Sequence, residues 1–458
     1  MKFKSLALAS VFAAVALPHA ALALDPDMTM DVYSRPRPDF DARGVRLGSF
    51  MLYPTLALGV SYDDNVFNLP DSAGANVQED FAFTVNPALN LRSNWSRHAF
   101  NIMAESVSFF YQDLDDEDHT DWGVKGDARF DITGSTNFAV DAHYKAASED
   151  RSISQDVITS LFERGDLDTW GVGASINHRA NRFRGSIGVR YDDYDYEDVT
   201  RLTANTVAVG ANAFCPTGLL VGQFLTCNED DRDFNQVEVS AKVGYEVSPG
   251  YALFIRGRYD ERDYDSANPS FAGGELDDAN RNKDSEAYSV EGGVDFELTR
   301  LLTGEVFVGY TNREYDAHPT VPALSFADTD AFTWGVDLNW YPTMMTTVSF
   351  DASRKIEESN DSTLASSTSG IISDRYGVRV DHELLRNLVI YGKIGFGSDE
   401  FEATTREDDL FIGGLGAVFL INNNLHLSAS YDYVDRDSNN ALLDMTDNAF
   451  RLSLTGKL

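Results

Sequence analysis

Eight histidines, two cysteines and several dense acidic runs are the groups in this 458-residue sequence whose chemistry could be put to use. None of the histidines stands in a nucleophile elbow, in a His-Glu-x-x-His helix or at another zinc spacing. His98, His143, His178 and His426 fall singly within or beside apolar-alternating stretches, where a lone histidine is an interface or lining residue before it is a base. No catalytic residue, resident metal site or cofactor is expected, and the chain is not read as an enzyme. Cys215 and Cys227 share one loop-like stretch. In an exported protein such a pair oxidises, and closing so small a loop is worth about 3 kcal/mol in the chain-entropy model. The acidic runs are 113–118, with five acids in six residues, then 192–198, 229–233, 260–265 and 399–409. A charge run is first of all a solvated face. The alternative is divalent cations that bridge these loops to one another or to an anionic surface glycolipid. No run carries the full Asp-x-Asp-x-Asp-Gly calcium loop with its closing glutamate.

The chain that carries these groups begins as an export substrate. Lys2 and Lys4, the apolar stretch Leu6 to Leu17 and the small-x-small triplet Ala21-Leu22-Ala23 read as a secretory signal over residues 1–23. That apolar stretch is far short of the roughly 20 residues that span a bilayer. No other stretch reaches 18 consecutive apolar residues. If the mature chain lives in a membrane it must do so as a closed barrel, because a bilayer core leaves no backbone group a water partner. The net charge of −36 makes nucleic acid an improbable partner. Composition fits a barrel, with 29 Phe, 20 Tyr and 34 Gly.

From Leu52 onward, apolar residues recur at every second position. Leu56, Leu58, Val60 and Tyr62 form part of the first row, Phe81, Phe83, Val85, Leu89 and Leu91 the second. Later rows include Val237, Val239, Ala241, Val243 and Tyr245, then Tyr251, Leu253, Ile255 and Tyr259, and the last holds Phe450, Leu452, Leu454 and Leu458. Eighteen such rows can be counted. Pro54 and Pro87 interrupt two of them and demand a strand end or bulge, since proline cannot donate to a ladder.

The alternate phase tells a soluble sandwich from a lipid-facing barrel. It carries Lys125, Asp127, Arg129 and Asp131; His143 and Lys145; Arg184 and Arg190; Glu238, Lys242 and Glu246; Arg256 and Arg258; Glu291 and Asp295; and Arg451 and Lys457. Both signs at similar density suit a water-filled lumen. The candidate lining residues are therefore Lys125, Arg129, Lys145, Arg184, Arg190, Lys242, Arg256, Arg258, Glu291, Asp295 and Arg451. Connections alternate strictly between short and long, as in a barrel with short periplasmic turns and long outer loops. Trp95, Trp122, Trp170, Trp334 and Trp340 stand at or near row ends, where rings favour a membrane interface. The expected architecture is all-β: a single transmembrane antiparallel up-and-down barrel of about 18 strands over residues 50–458. The count could shift by two if the weak run 207–214 pairs. Ahead of it, residues 24–49 form an extended charged segment, most simply a periplasmic tail. Entry into the lumen or docking of a partner are the alternatives, and the segment is too short for a globular plug.

Gly44-Val45-Arg46-Leu47-Gly48-Ser49-Phe50, then Tyr53-Pro54, then Gly59-Val60-Ser61-Tyr62-Asp63-Asp64-Asn65-Val66-Phe67 resemble the opening of the putative β-barrel porin 2 family, and Arg35-Pro36-Arg37-Pro38 is similar to it too. The ending in Leu458, rather than the Phe of many outer-membrane barrels, departs from the common assembly signal. The resemblance implies a barrel in the outer membrane of a Gram-negative bacterium, inserted by the barrel assembly machinery among lipid and lipopolysaccharide. It also implies association with secretion of exopolysaccharide or capsule through a periplasmic polysaccharide export protein. A diffusion porin for small hydrophilic solutes and a surface structural protein with a closed lumen are the competing expectations.

Overall fold

The computed structural model describes residues 31–458 apart from 34, 72–76, 150–163, 198, 201–225, 228–231, 266–281, 299–300, 319–324, 359–369, 403 and 441–442. Alternation has the expected consequence. Eighteen strands run β1 (Phe50–Asp63), β2 (Asp80–Ser93), β3 (Ala99–Tyr111), β4 (His119–Thr133), β5 (Thr136–Ser148), β6 (Asp166–Ala180), β7 (Phe183–Tyr196), β8 (Phe234–Ser248) and β9 (Tyr251–Tyr264). They continue as β10 (Ser285–Leu298), β11 (Leu302–Tyr315), β12 (Thr329–Thr343), β13 (Thr346–Glu358), β14 (Gly370–Leu385), β15 (Leu388–Phe401), β16 (Glu407–Asn422), β17 (Leu425–Ser438) and β18 (Met445–Lys457). Each pairs antiparallel with the next, and β18 pairs back onto β1 with Thr55 opposite Lys457, which closes the barrel. A nineteenth strand, Val45–Leu47, lies outside the ring and pairs with the start of β1.

A two-residue ladder between Val199–Thr200 and Thr226–Cys227 stands apart from the barrel. The expected Cys215–Cys227 bridge, the signal segment 1–23 and the run 207–214 lie outside the described residues. Among the described residues no helix is long and apolar enough to cross a membrane.

Both prolines fall where a donor is not needed. Pro54 sits between the last pair of β1 with the outer strand, at Leu52, and the first with β18, at Thr55. Its carbonyl takes the N–H of Leu458 at 3.2 Å. At Pro87 the β2–β3 ladder skips from Val85 to Ala88, and the Asn86 side-chain amide donates to the Ser106 carbonyl at 2.8 Å instead.

Apolar rows face outward. Leu58, Val60, Phe83, Val189, Val243, Ile255 and Leu415 are exposed although large. So much contiguous apolar surface is a surface for lipid. Aromatic pairs bound this band at both ends. Toward the long loops stand Tyr62–Phe81 at 4.8 Å, Trp122–Tyr144 at 5.1 Å, Trp170–Tyr191 at 5.2 Å and Tyr259–Tyr288 at 5.1 Å. Toward the short turns stand Phe50–Trp95 at 5.4 Å and Phe183–Tyr245 at 5.0 Å. On β9 the girdle residues are Tyr251 and Tyr259. Their separation is roughly 27 Å along the strand, hence about 20 Å of height at the usual tilt, close to the apolar band of a membrane barrel.

Connections alternate as expected: every link at the long-loop end, even 402–406, the shortest of them, is longer than the turns on either side of it. One expectation needs correction. Three of the acidic runs, 192–198, 260–265 and 399–409, are largely strand and not loop, because the strands continue past the tyrosine girdle into the aqueous layer. There the outward carboxylates accept from girdle hydroxyls, Glu79 from Tyr62 at 2.5 Å, Asp168 from Tyr144 at 2.6 Å, Glu286 from Tyr288 at 2.6 Å and Asp330 from Tyr310 at 2.5 Å. An ionised carboxylate is not tolerated in hydrocarbon, so this belt marks where the apolar layer ends.

Candidate functional site

All eleven candidate lining residues lie on the phase opposite the exposed apolar rows. Arg129 donates to Asp131 at 3.0 Å, Arg184 to Glu246 at 3.2 Å, and Arg190 to Asp192 at 3.2 Å and to Asp141 more closely. Arg451 meets Asp432 at 2.8 Å, which also holds Lys393 at 2.6 Å. Lys125 and Lys145 share the same inward phase on β4 and β5, paired in register with Met103 and His143 and with Gly123 and Thr169.

The densest part spans β8 to β11. Lys242 on β8 meets Asp295 on β10 at 3.1 Å and Glu305 on β11 at 2.7 Å. Arg256 on β9 meets Glu291 at 2.5 Å and Glu305 at 3.0 Å, and Arg258 closes onto the other oxygen of Glu291. Strands lie about 4.8 Å apart, so a contact from β8 to β11 is possible only on the concave inner face. Glu291, just 3% exposed, is the hub of this group.

Two aromatic residues sit inside the same wall. The Lys242 ammonium stands 3.8 Å from the centre of the Phe254 ring, and the Arg256 guanidinium 4.7 Å from that of Phe307. Both rings occupy the space over a glycine of the next strand: a Cβ on Gly293 would overlap Phe254, and one on Gly335 would overlap Phe307. Polar alternation does not single out Phe254 or Phe307. The signal for them is the glycine at the registered inward position of the neighbouring strand.

Several other lining pairs escape a reading of the sequence for a different reason: their partners lie far apart along the chain or in a register that only the fold reveals. Arg313 holds Asp260, and Arg375 reaches Asp399 at 2.6 Å. Arg379 forks onto Asp381, two residues along the same strand face, at 2.8 and 2.7 Å, a local pair. Among the described residues, Asp63, Asp64 and Asp447 form the one carboxylate group close enough to share a cation, with oxygens within 4.8 Å.

Inward faces differ around the ring. On β4 Asp127 and Arg129 are exposed to the lumen. On β14 and β16 the inward residues Ile371, Ser373, Asp381, Leu410, Ile412 and Leu420 are buried. Part of the burial at the short-turn end comes from residues 31–44, which turn in against the inner wall. The Val32 N–H donates to Thr347 Oγ1 at 3.0 Å, and both residues are fully buried. Arg37 pairs with Glu383 at 3.2 Å, and the Phe40 carbonyl meets His426 Nε2 at 3.0 Å. Of the three alternatives for this segment, the described residues 31–44 adopt entry into the lumen mouth.

Residues 37–458 match the family described as putative β-barrel porin 2. The chain belongs to that family. The assignment agrees with the N-terminal resemblance and extends it over the barrel. No curated protein matches the chain. Among solved structures, the chain is similar to the ferric enterobactin receptor PfeA from Pseudomonas aeruginosa, at 10% identity and a TM-score of 0.46, covering 88% of this chain and 80% of that one. It is also similar to the outer membrane protein OpdK from Pseudomonas aeruginosa, at 11% identity and a TM-score of 0.44, with 89% and 98% covered. OccAB4 from Acinetobacter baumannii is similar at 12% identity and a TM-score of 0.43, with 89% and 98% covered.

As a member of a porin family, the barrel has an aqueous rim whose charge depends on pH. Asp284, ahead of β10, accepts the Tyr264 N–H at 2.7 Å. Burial first, and then the Asp263 and Asp316 carboxylates, push its carboxyl up to about 6. A carboxyl whose folded value is raised binds its proton more tightly folded than unfolded. The contribution to stability is therefore full at low pH and is lost as pH rises from about 4 through about 6. Asp284→Asn keeps an acceptor for Tyr264 without the charge. The variant is expected to unfold at higher denaturant concentration than the parent at pH 8, with the gap closing at pH 4, as read by tryptophan fluorescence. A gap that is constant with pH would contradict this.

Proposed function

We propose that this porin-family barrel is a conduit in the outer membrane of a Gram-negative bacterium for hydrated, largely uncharged glycan chains, exported as surface polysaccharide with a periplasmic export protein. The observation that carries the reading is charge compensation in the wall. Arg190, Lys242, Arg256, Arg258, Arg379 and Arg451 each lie against a carboxylate of the same wall. A ladder of one sign would attract and sort ions. A compensated wall instead offers fixed donors and acceptors to hydroxyl groups and little net field. An eighteen-stranded barrel also has the width for an aqueous channel.

Two measurements test the reading. Purified protein in planar bilayers should show only a weak cation preference, left by the acidic rim and removed by high salt. Cells lacking the gene should retain polymerised polysaccharide in the periplasm. If surface polysaccharide is unchanged in amount and place while small sugars still cross reconstituted vesicles, the export reading is wrong and a diffusion porin is right.

A further inference from the structure

We infer that residues 31–44 are a hinged strap that narrows the short-turn mouth of the barrel, and that the Arg37–Glu383 pair is its latch. Four anchors seat the strap along one side. The Val32 N–H on Thr347 and the Arg35 guanidinium on the Met344 carbonyl hold it at the start of β13. Arg37 reaches Glu383 near the end of β14, with side chains only 11% and 15% exposed. The Phe40 carbonyl meets His426 at the start of β17. The inward residues between these anchors at the same level, Val389 on β15 and Leu420 on β16, are buried as well. The covered sector thus runs from β13 to β17, while Asp127 and Arg129 on the opposite side of the ring stay exposed.

The local sequence suits a strap. Pro36 holds the chain extended, and neither Pro36 nor Pro38 brings an N–H that would need a partner inside the mouth. Pro38 occupies the second position of a turn that the Phe40 N–H closes onto the Arg37 carbonyl at 2.7 Å. Arg37 also donates to the Val32 carbonyl at 2.7 Å, so one side chain ties the strap to itself and to the wall. The hinge is Gly44, whose φ of +71° disfavours other residues and whose Cβ position lies 2.7 Å from the Tyr53 ring. Beyond it, Val45–Leu47 is fixed to β1 by main-chain pairing. Motion is therefore confined to residues ahead of Gly44. A pair so little exposed holds the strap to the wall, and removing one partner strands the other, so Glu383→Gln should loosen the seat.

The gating part of this inference rests on the conduit reading; the seat of the strap does not. The experiment compares the intact chain with a variant lacking residues 31–43 and with Glu383→Gln, each also carrying Thr347→Cys. A hydrophilic maleimide should label the introduced thiol slowly in the intact chain, faster in Glu383→Gln and fastest in the deletion. In planar bilayers the deletion should raise single-channel conductance by roughly a third, since the sector from β13 to β17, five of the eighteen strands, is uncovered. Glu383→Gln should lengthen open dwell times without changing the open level. Equal labelling in all three proteins, or an equal and non-zero conductance with and without the strap, overturns the inference. If every variant is electrically silent while the thiol at position 347 is labelled only after deletion, the conduit reading falls and the seat of the strap stands.

Discussion

Ile255→Arg is expected to lower the folding free energy by about 2–4 kcal/mol, the cost of a guanidinium at the midplane of the lipid-facing side of a barrel. Ile255 lies halfway between Tyr251 and Tyr259, the two girdle residues of β9, and its side chain is 67% exposed. Its registered neighbours are Val243 and Gly292, so an arginine there finds no carboxylate within its row. Snorkelling to either interface would need most of the band's half-height. Ser289→Arg, on the inward phase of β10, meets water instead; its registered neighbours are Arg258 and Thr311, and even with that like charge opposite it should cost less than about 1 kcal/mol. Urea titration of protein refolded into short-chain lipid vesicles measures both. Equal costs for the two arginines would contradict the assignment of faces.

Removal of Glu291 should have the next largest effect. Its two oxygens hold Arg256 and Arg258, and Arg256 keeps Glu305 as a second partner, whereas Glu291 is the carboxylate on which Arg258 closes. Stranding a buried charge costs about 3–5 kcal/mol. Arg258 is 39% exposed, so water offsets part of that, and about 2 kcal/mol is expected for Glu291→Ala. Adding Arg258→Met should recover much of the loss, because the double variant no longer strands a cation. The single variant should also shift the bilayer reversal potential toward anions, since it uncovers positive charge inside the wall. A stability loss that persists undiminished in the double variant would show that Glu291 acts through packing and not through Arg258.

How much of this is legible in the sequence depends on the range of the interaction. The row Tyr251, Leu253, Ile255 and Tyr259 is a local pattern with period two, and it marks the outward face of β9 directly. Arg256 and Arg258 are legible as inward for the same reason. Their partners are not, because a contact between Lys242 and Glu305 depends on the register of four strands and the curvature of the wall. Phe254 and Phe307 break the polar phase, and their accommodation on Gly293 and Gly335 can be seen only once neighbouring strands are aligned. The seat of residues 31–44 stays among three alternatives in the sequence, since an extended segment with alternating Arg and Pro has no periodicity that names its target. Its target is Thr347, Glu383 and His426, three inward residues on different strands. The acidic runs mislead for a simpler reason: hydropathy marks where lipid ends, whereas a strand ends where its ladder does.

The outer hairpin at Val45–Leu47 bears on how the ring finds its correct alignment. Nine registered pairs join β1 to β18, against fourteen joining β1 to β2, and those nine connect nearly opposite ends of the chain. Such distant pairing is slow to form, and until it does β1 offers a free edge that could accept a slipped partner. The hairpin turned by Gly48 forms from residues close in sequence and covers the lower part of that edge first, from Phe50 to Leu52. An incoming β18 then cannot slide down past the hairpin, so the shear of the whole cylinder is fixed by a three-residue stop made before the cylinder exists.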